Sequence, residues 1–321
     1  MADLQSISEE SLASPPLIGA RLGLAALRRV LEAHAAWLEG RPDGLRASLQ
    51  GIVLAEATLD SVNLERADLK SSNFIDARLS GANLNGAVLQ YADFSNATLI
   101  DADLSKADFT GARLKFTLLA GANLSEAHLR QTSLQGANLR EARLLEATME
   151  GCDFATADLR QASLLQAKLF DCNFAEAHFE DANLYHAVFR SCRLTGLSAA
   201  RSNWCTATLH NCEFRRAELA AARFDRADLR QSSFWKANLA GATFQHTRLN
   251  GADLEAADLS GARFHQAATL SANLCGADLR AAQGLTPTQL GQARTDRRTI
   301  MPDGSHGPYL LGSAAHRPTR V

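Results

Sequence analysis

Residues 101–109 read DADLSKADF and residues 81–89 read GANLNGAVL. In both, a small apolar, a polar and a large apolar residue stand in a row, and the triplet returns after five positions. Sampling every fifth residue outward, from Leu54 to Leu279, gives 46 positions: 30 Leu, 12 Phe, one Met and one Trp, with only Ala199 and Thr269 breaking the run. Two residues earlier, 33 of the 46 positions are Ala, and most others are Ser, Thr or Cys. The residue between is ten times Asp and ten times Asn. Two mostly polar residues complete each unit, and the second is often Gly, as at Gly81, Gly86, Gly111, Gly121 and Gly136.

A period of five fits neither a helix, which would smear the Leu positions around its surface, nor a strand, which would flip them between faces. The chain must turn at every unit. A bridge carrying small-polar-large with both apolar residues inward, followed by a tight turn, makes one side of a square coil. Gly then falls at the third turn residue, where a type II turn needs positive φ. Four units per coil follow from columns at intervals of 20: Cys152, Cys172, Cys192 and Cys212 at the small position, and Phe74, Phe94, Phe154, Phe174, Phe214 and Phe234 at the large one. Coils roughly 4.8 Å apart then build a rod of nearly twelve turns, on the order of 55 Å long, around a solid core of Leu and Phe.

Runs such as RADLKSSNF, GANLNGAVL and DADLSKADF resemble the pentapeptide-repeat family, with its Ala-(Asp/Asn)-Leu-x-x pattern, over some 230 of the 321 residues. The resemblance implies an all-β fold, a right-handed quadrilateral parallel β-helix of about 11–12 coils, in a bacterial protein. The family's best understood members resemble B-form DNA in shape and charge and bind type II topoisomerases. It therefore implies DNA gyrase or topoisomerase IV as one candidate partner, through DNA mimicry.

The expected organisation is a flexible N-terminus over 1–19, a capping helix and entry over 20–48, the β-helix over 49–281, a C-terminal capping helix over 282–303 and a mobile tail over 304–321. An open-ended stack needs covers. Apolar spacing at Leu24, Leu27, Leu31 and Leu38, opposite Arg28, Arg29 and Glu32, predicts the first helix. Thr286-Pro287-Thr288-Gln289, an N-cap hydroxyl, Pro at the first helical position and Gln three residues on, predicts the second over about 287–294.

The 33 basic and 35 acidic residues nearly cancel, which argues against a general polyanion binder, and no apolar stretch reaches membrane-spanning length. A cytoplasmic location is expected, with no direct contact to nucleic acid or membrane; a secreted or secretion-associated protein is a further alternative. No nucleophile stands with a base and no phosphate loop occurs, so no enzyme, cofactor or metal is expected. His186 and His246 share an outward column three coils apart and read as solvated surface residues. A straight column of cysteines cannot make a tetrahedral zinc site or an unstrained disulfide and reads as small apolar filling. Cys205 and Cys275, one place after the large inward residue, are expected to be the more exposed thiols.

The sequence points to a rigid protein-interaction scaffold, and two surfaces are candidates. Leu145, Leu165 and Tyr185 occupy one outward column, followed by Cys205, with Val188 and Phe170 nearby; this reads as an apolar ridge for an unknown protein partner or a second copy in a homodimer. Asp93, Asp101, Asp103 and Asp108 read as a local acidic strip. Over 49–281 there are 23 basic and 27 acidic residues; duplex DNA of that length would carry roughly 30 charges, so any DNA mimicry is weak. Leu197 and Ala199 exchange the small and large positions, which predicts a local distortion over 195–200.

Overall fold

The structure, a computed structural model, describes Gly19 and residues 22–309. Each outward-facing polar residue pairs in parallel with the residue twenty positions on, from Ser48 with Asp68 to Asp258 with Asp278. Residues 47–283, at twenty to the coil, make close to twelve coils. Asn73 shows the hydrogen-bond logic: its N–H donates to the Ile52 carbonyl at 2.9 Å, while its carbonyl accepts from the Leu54 N–H at 2.7 Å. A turn bond, such as Ala57 N–H to the Leu54 carbonyl at 3.1 Å, closes the corners. The four sides are named here by their large inward residue: first (Leu54, Phe74 and on), second (Leu59, Leu79), third (Leu64, Leu84) and fourth (Leu69, Leu89).

The third turn residue has positive φ as expected, yet most such positions are not Gly: Tyr91 sits at 58°, Phe116 at 57° and Arg216 at 56°. On the fourth side the single bridges widen into three-residue strands: β1 (His128–Arg130), β2 (Thr148–Glu150), β3 (Lys168–Phe170), β4 (Val188–Arg190) and β5 (Thr208–His210), a parallel sheet in that order.

The inward Leu, Phe and Ala form one continuous core. Stacked rings bear out the columns: Phe74 on Phe94 at 4.6 Å, Phe154 on Phe174 at 4.7 Å, Phe214 on Phe234 at 4.7 Å. The cysteine column does more than fill space. The Cys192 thiol donates to the Leu169 carbonyl at 3.5 Å and the Cys152 thiol to that of Leu129, as the hydroxyls of Thr117 and Thr132 do to Phe94 and Phe109 at 2.8 Å. A polar atom at the small position thus adds a bond to a carbonyl of the previous coil. Burial beside a neighbouring thiol pushes the Cys152 and Cys192 thiols up, which keeps both as donors.

The expected distortion over 195–200 does not appear in the ladder. His178, Ser198 and Glu218 stay in register, and both Leu197 and Ala199 are buried. Trp204, on the adjoining side, lies 6.3 Å from Phe179, and its indole N–H donates to Ser202, whose hydroxyl reaches the Ala199 carbonyl. The large indole supplies volume beside the small Ala199, so the backbone keeps its course.

Helix α1 spans Leu24–Leu38. Leu27 joins the core, with Leu22, Val30 and Leu31 half-buried against it, whereas Leu24, expected on the inner face, is exposed. The buried His34 accepts the Ala47 N–H on Nδ1 at 3.1 Å, tying the helix to the first coil; burial lowers its pKa. The chain re-enters beneath the helix at Gly44, where a Cβ would lie 2.2 Å from the Trp37 nitrogen, so only glycine fits. Helix α2 spans Pro287–Gln292 and carries the full capping box of Thr286 and Gln289. Gln289 also donates to the Phe264 and Ala267 carbonyls at 3.1 and 2.9 Å, covering the end of the stack. Residues 304–309, placed with the tail by sequence, are built into this cap: Ile300 pairs antiparallel with His306, and Tyr309 N–H bonds to Thr295. Residues 1–18, 20, 21 and 310–321, which carry most of the expected flexible ends, lie outside the described residues.

Candidate protein-interaction surface

The outward Asp and Asn residues have a local task. The Asn63 side chain accepts the Glu65 N–H at 3.1 Å, Asp93 the Ser95 N–H at 3.0 Å, Asp103 the Ser105 N–H at 3.0 Å and Asp158 the Arg160 N–H at 3.1 Å. Each satisfies the amide that the corner turns toward solvent, an Asx-type bond. Asn side chains then bridge coils, as Asn173 to Asp153 at 2.8 Å and Asn273 to Asp253 at 2.9 Å. Asp and Asn serve this role equally, which accounts for their equal numbers.

The acidic strip is not assembled. A coil of twenty places Asp93 on the first side, Asp101 at the corner between second and third, Asp103 on the third and Asp108 on the fourth. Three of them are engaged: Asp93 with Arg113 at 3.5 Å, Asp103 with Asn123 at 3.1 Å, and Asp108 with Gln90 at 2.7 Å and Thr110 at 2.6 Å. Burial disfavours the Asp108 carboxylate, but the Thr110 and Gln90 bonds outweigh it and its pKa falls.

The ridge also differs from its reading. Leu145 and Leu165 are half-buried at the corner between third and fourth sides, Tyr185 is 38% exposed, and Cys205 is buried at 7%. The Cys205 sulfur lies 4.0 Å from Asp225 in the next coil, and burial pushes its thiol up, so the expected exposed thiol is covered. Cys275 is intermediate in exposure. Val188 faces outward on β4, and Phe170 lies at the far corner beneath the Arg190 guanidinium at 5.8 Å. Tyr185 and Phe170 therefore flank opposite edges of the fourth side.

A more exposed apolar group lies elsewhere. Phe116 is 58% exposed, Leu118 39% and Ile100 36%. Phe116 stands at the corner entering the second side, Leu118 at that side's centre, and Ile100 at its far corner one coil earlier, two residues beyond Thr98, which pairs with Leu118. The three make a diagonal apolar stripe across one side. The signal was present in sequence: Leu118 occupies a position that is otherwise mostly Asp, Asn or another polar residue.

The fourth side gathers two arginines and a histidine around one carboxylate. Asp228 meets Arg230 at 2.7 Å, His210 at 3.0 Å and Arg248 at 3.7 Å. Burial opposes its charge, yet Arg230 and His210 hold its carboxyl well below the usual range. Among the described residues no group of three His, Cys, Asp or Glu could hold a metal ion, and no helix is long and apolar enough to cross a membrane.

A four-sided parallel β-helix with a solid core, built from five-residue units, defines a class of repeat protein. Models of pentapeptide repeats match residues 47–86, 77–115 and 122–161, and a pentapeptide repeat region model matches 146–224 and 207–283; the chain belongs to the pentapeptide-repeat family. Among solved structures it is similar to HetL, a pentapeptide repeat protein involved in heterocyst differentiation regulation from the cyanobacterium Nostoc sp. Strain PCC 7120. The two are 26% identical over 89% of this chain and 100% of that one, with a TM-score of 0.29. It is also similar to a pentapeptide repeat protein of the Arabidopsis thaliana thylakoid lumen, 33% identical over 30% of this chain and 63% of that one, TM-score 0.25. Full-length QnrB1, a plasmid-mediated fluoroquinolone resistance protein, is 19% identical over 63% of this chain and 85% of that one, TM-score 0.30. No curated protein matches the chain.

Proposed function

We propose that this chain is a rigid, non-catalytic scaffold that binds another protein through the second side, with Phe116, Leu118 and Ile100 as the apolar centre of the contact. The carrying observation is the exposed stripe itself: three large apolar side chains in contiguous positions on an otherwise polar side. The Tyr185 edge, with Val188 and Phe170 on the fourth side, is a second, lower contact area. Its six cysteines, all unpaired, suit a reducing cytoplasm, the location we propose.

The test is capture from the native host with the wild-type chain and with Phe116→Asn/Leu118→Asn. Asn tolerates the left-handed backbone at 116 and restores the side-chain acceptor at 118, so the rod stays folded. Loss of one specific partner supports the reading; equal recovery with both chains removes it. Light scattering on the same pair reads whether the partner is a second copy. In a gyrase supercoiling assay the expected outcome is neither inhibition nor quinolone protection, because the carboxylates are dispersed over the sides and committed to local bonds. Inhibition would replace this reading by DNA mimicry.

A further inference from the structure

Where the chain leaves the last coil for α2, a notch of about 530 Å³ opens at the corner between third and fourth sides. Its walls come from three segments: Gln245 and His246, Arg263 to Gln266, and Gln283 to Thr286. The notch is held by backbone, not by loops. Gln283 pairs with Arg263 in the ladder, its N–H bonding the Ala262 carbonyl at 2.8 Å, and the His246 N–H bonds the His265 carbonyl at 2.9 Å. Gln289 anchors the cap beneath.

The lining is rich in donors and contains no carboxylate: one guanidinium, two imidazoles and three primary amides. The side chains of Gln245, His246, Arg263, His265, Gln266 and Gln283 have no hydrogen-bond or ion-pair partner among the described residues. Arg223 stands two coils before Arg263 in the same outward column and Arg226 one coil before His246, which adds positive potential. The nearest acid on that corner, Asp225, accepts the Gln245 N–H at 3.0 Å. Three segments thus bring exposed amide, imidazole and guanidinium donors to one notch, a donor set that suits an oxyanion, and the Arg fork supplies its charge-assisted bonds. The volume lies within the range of small-ligand sites.

We propose that this notch binds the phosphate group of a small phosphomonoester. The experiment is calorimetric titration of the full chain with inorganic phosphate and with phenyl phosphate, repeated on Arg263→Gln and on Arg193→Gln. The second variant makes the same charge change on the first side. The expected result is saturable binding of phenyl phosphate, weakened at least about tenfold by R263Q and unchanged by R193Q. His246→Gln/His265→Gln gives an independent reading on the opposite wall and should also weaken it. No saturation by either probe up to roughly 10 mM overturns the proposal, as does an equal loss in R263Q and R193Q, which would mark diffuse charge attraction.

Discussion

Replacing Gly136 by Ala probes the pose of the Phe116 ring, on which the proposed contact depends. A Cβ at 136 would lie 2.5 and 2.6 Å from two ring carbons of Phe116, in a backbone with φ of 65°. Gly261 is the matched reference, with φ of 67° and nothing within 4 Å of its would-be Cβ. At both sites the left-handed conformation costs Ala about 1–2 kcal/mol, offset by about 0.5–1 kcal/mol from the stiffer unfolded chain, which leaves a loss near 1 kcal/mol. At 136 the ring must also swing out. Phe116 is 58% exposed, so about two-fifths of its surface is covered; for a side chain of roughly 200 Å² that is about 80 Å², worth about 2 kcal/mol at 25 cal/mol per Å² if all of it is lost. Gly136→Ala should therefore be destabilising by roughly 2–3 kcal/mol against about 1 kcal/mol for Gly261→Ala. In Phe116→Asn/Gly136→Ala the added clash should vanish, because no ring remains to displace. Urea unfolding followed by circular dichroism reads the order of midpoints; long repeat arrays unfold with limited cooperativity, so midpoints, not extrapolated free energies, are compared. Equal midpoints for the two single variants would refute the stacked pose of Phe116.

Three further outcomes follow from the geometry. Asp228 has its pKa held below the ordinary carboxylate range, so the stability it supplies is complete above about pH 5 and is lost as pH falls through the unfolded value toward the folded one. Asp228→Asn should cost about 1 kcal/mol near neutrality, discounted for its exposed arginine partners, and in thermal melts the gap from wild type should begin to narrow below about pH 4 and keep shrinking as pH falls toward the folded value. Gln289→Leu leaves the Ala267 carbonyl unpaired at a buried end and takes from the Phe264 carbonyl the second of its two donors, the Ala267 N–H remaining; it should cost about 2–3 kcal/mol and expose 283–309 to limited proteolysis before the coils. Cys192→Ser keeps a donor for the Leu169 carbonyl whereas Cys192→Val does not; Val should melt lower, by about 1 kcal/mol, and the reverse order would make that thiol mere filling.

The core was legible because inward residues obey one period, and that period survives even the Leu197–Ala199 exchange. The surface was legible only in part. Asp93, Asp101, Asp103 and Asp108 are close in sequence, but a coil of twenty sends such neighbours to different sides, and reading them in columns would have parted them. Cys205 follows the large inward residue as Tyr185 does, yet it is buried where Tyr185 is not, because a short side chain is covered by the next coil's Asp225 while a long one reaches past its neighbours. Exposure at a corner depends on residue length and on the chain twenty residues away. Neither enters a five-residue pattern.

Leu118 carries the functional argument because of what its position gives up. Where that column carries Asn or Asp, a side-chain oxygen accepts the N–H two residues on, as Asn138 does for Arg140 at 3.1 Å in the next coil and Asp158 for Arg160 at 3.1 Å. Leu has no such oxygen to offer Ala120, and it leaves an apolar side chain in water as well. Both effects disfavour Leu by amounts near 1 kcal/mol, the usual worth of a hydrogen bond. Neither is offset by burial in the core, which the inward Leu119 and Thr117 already fill. A residue that weakens its own coil and exposes apolar area is expected where another surface supplies the missing contact. The equal use of Asp and Asn at the outward position over all four sides argues the converse for charge: most of the acids there are retained as local acceptors, and their charge is incidental to the task.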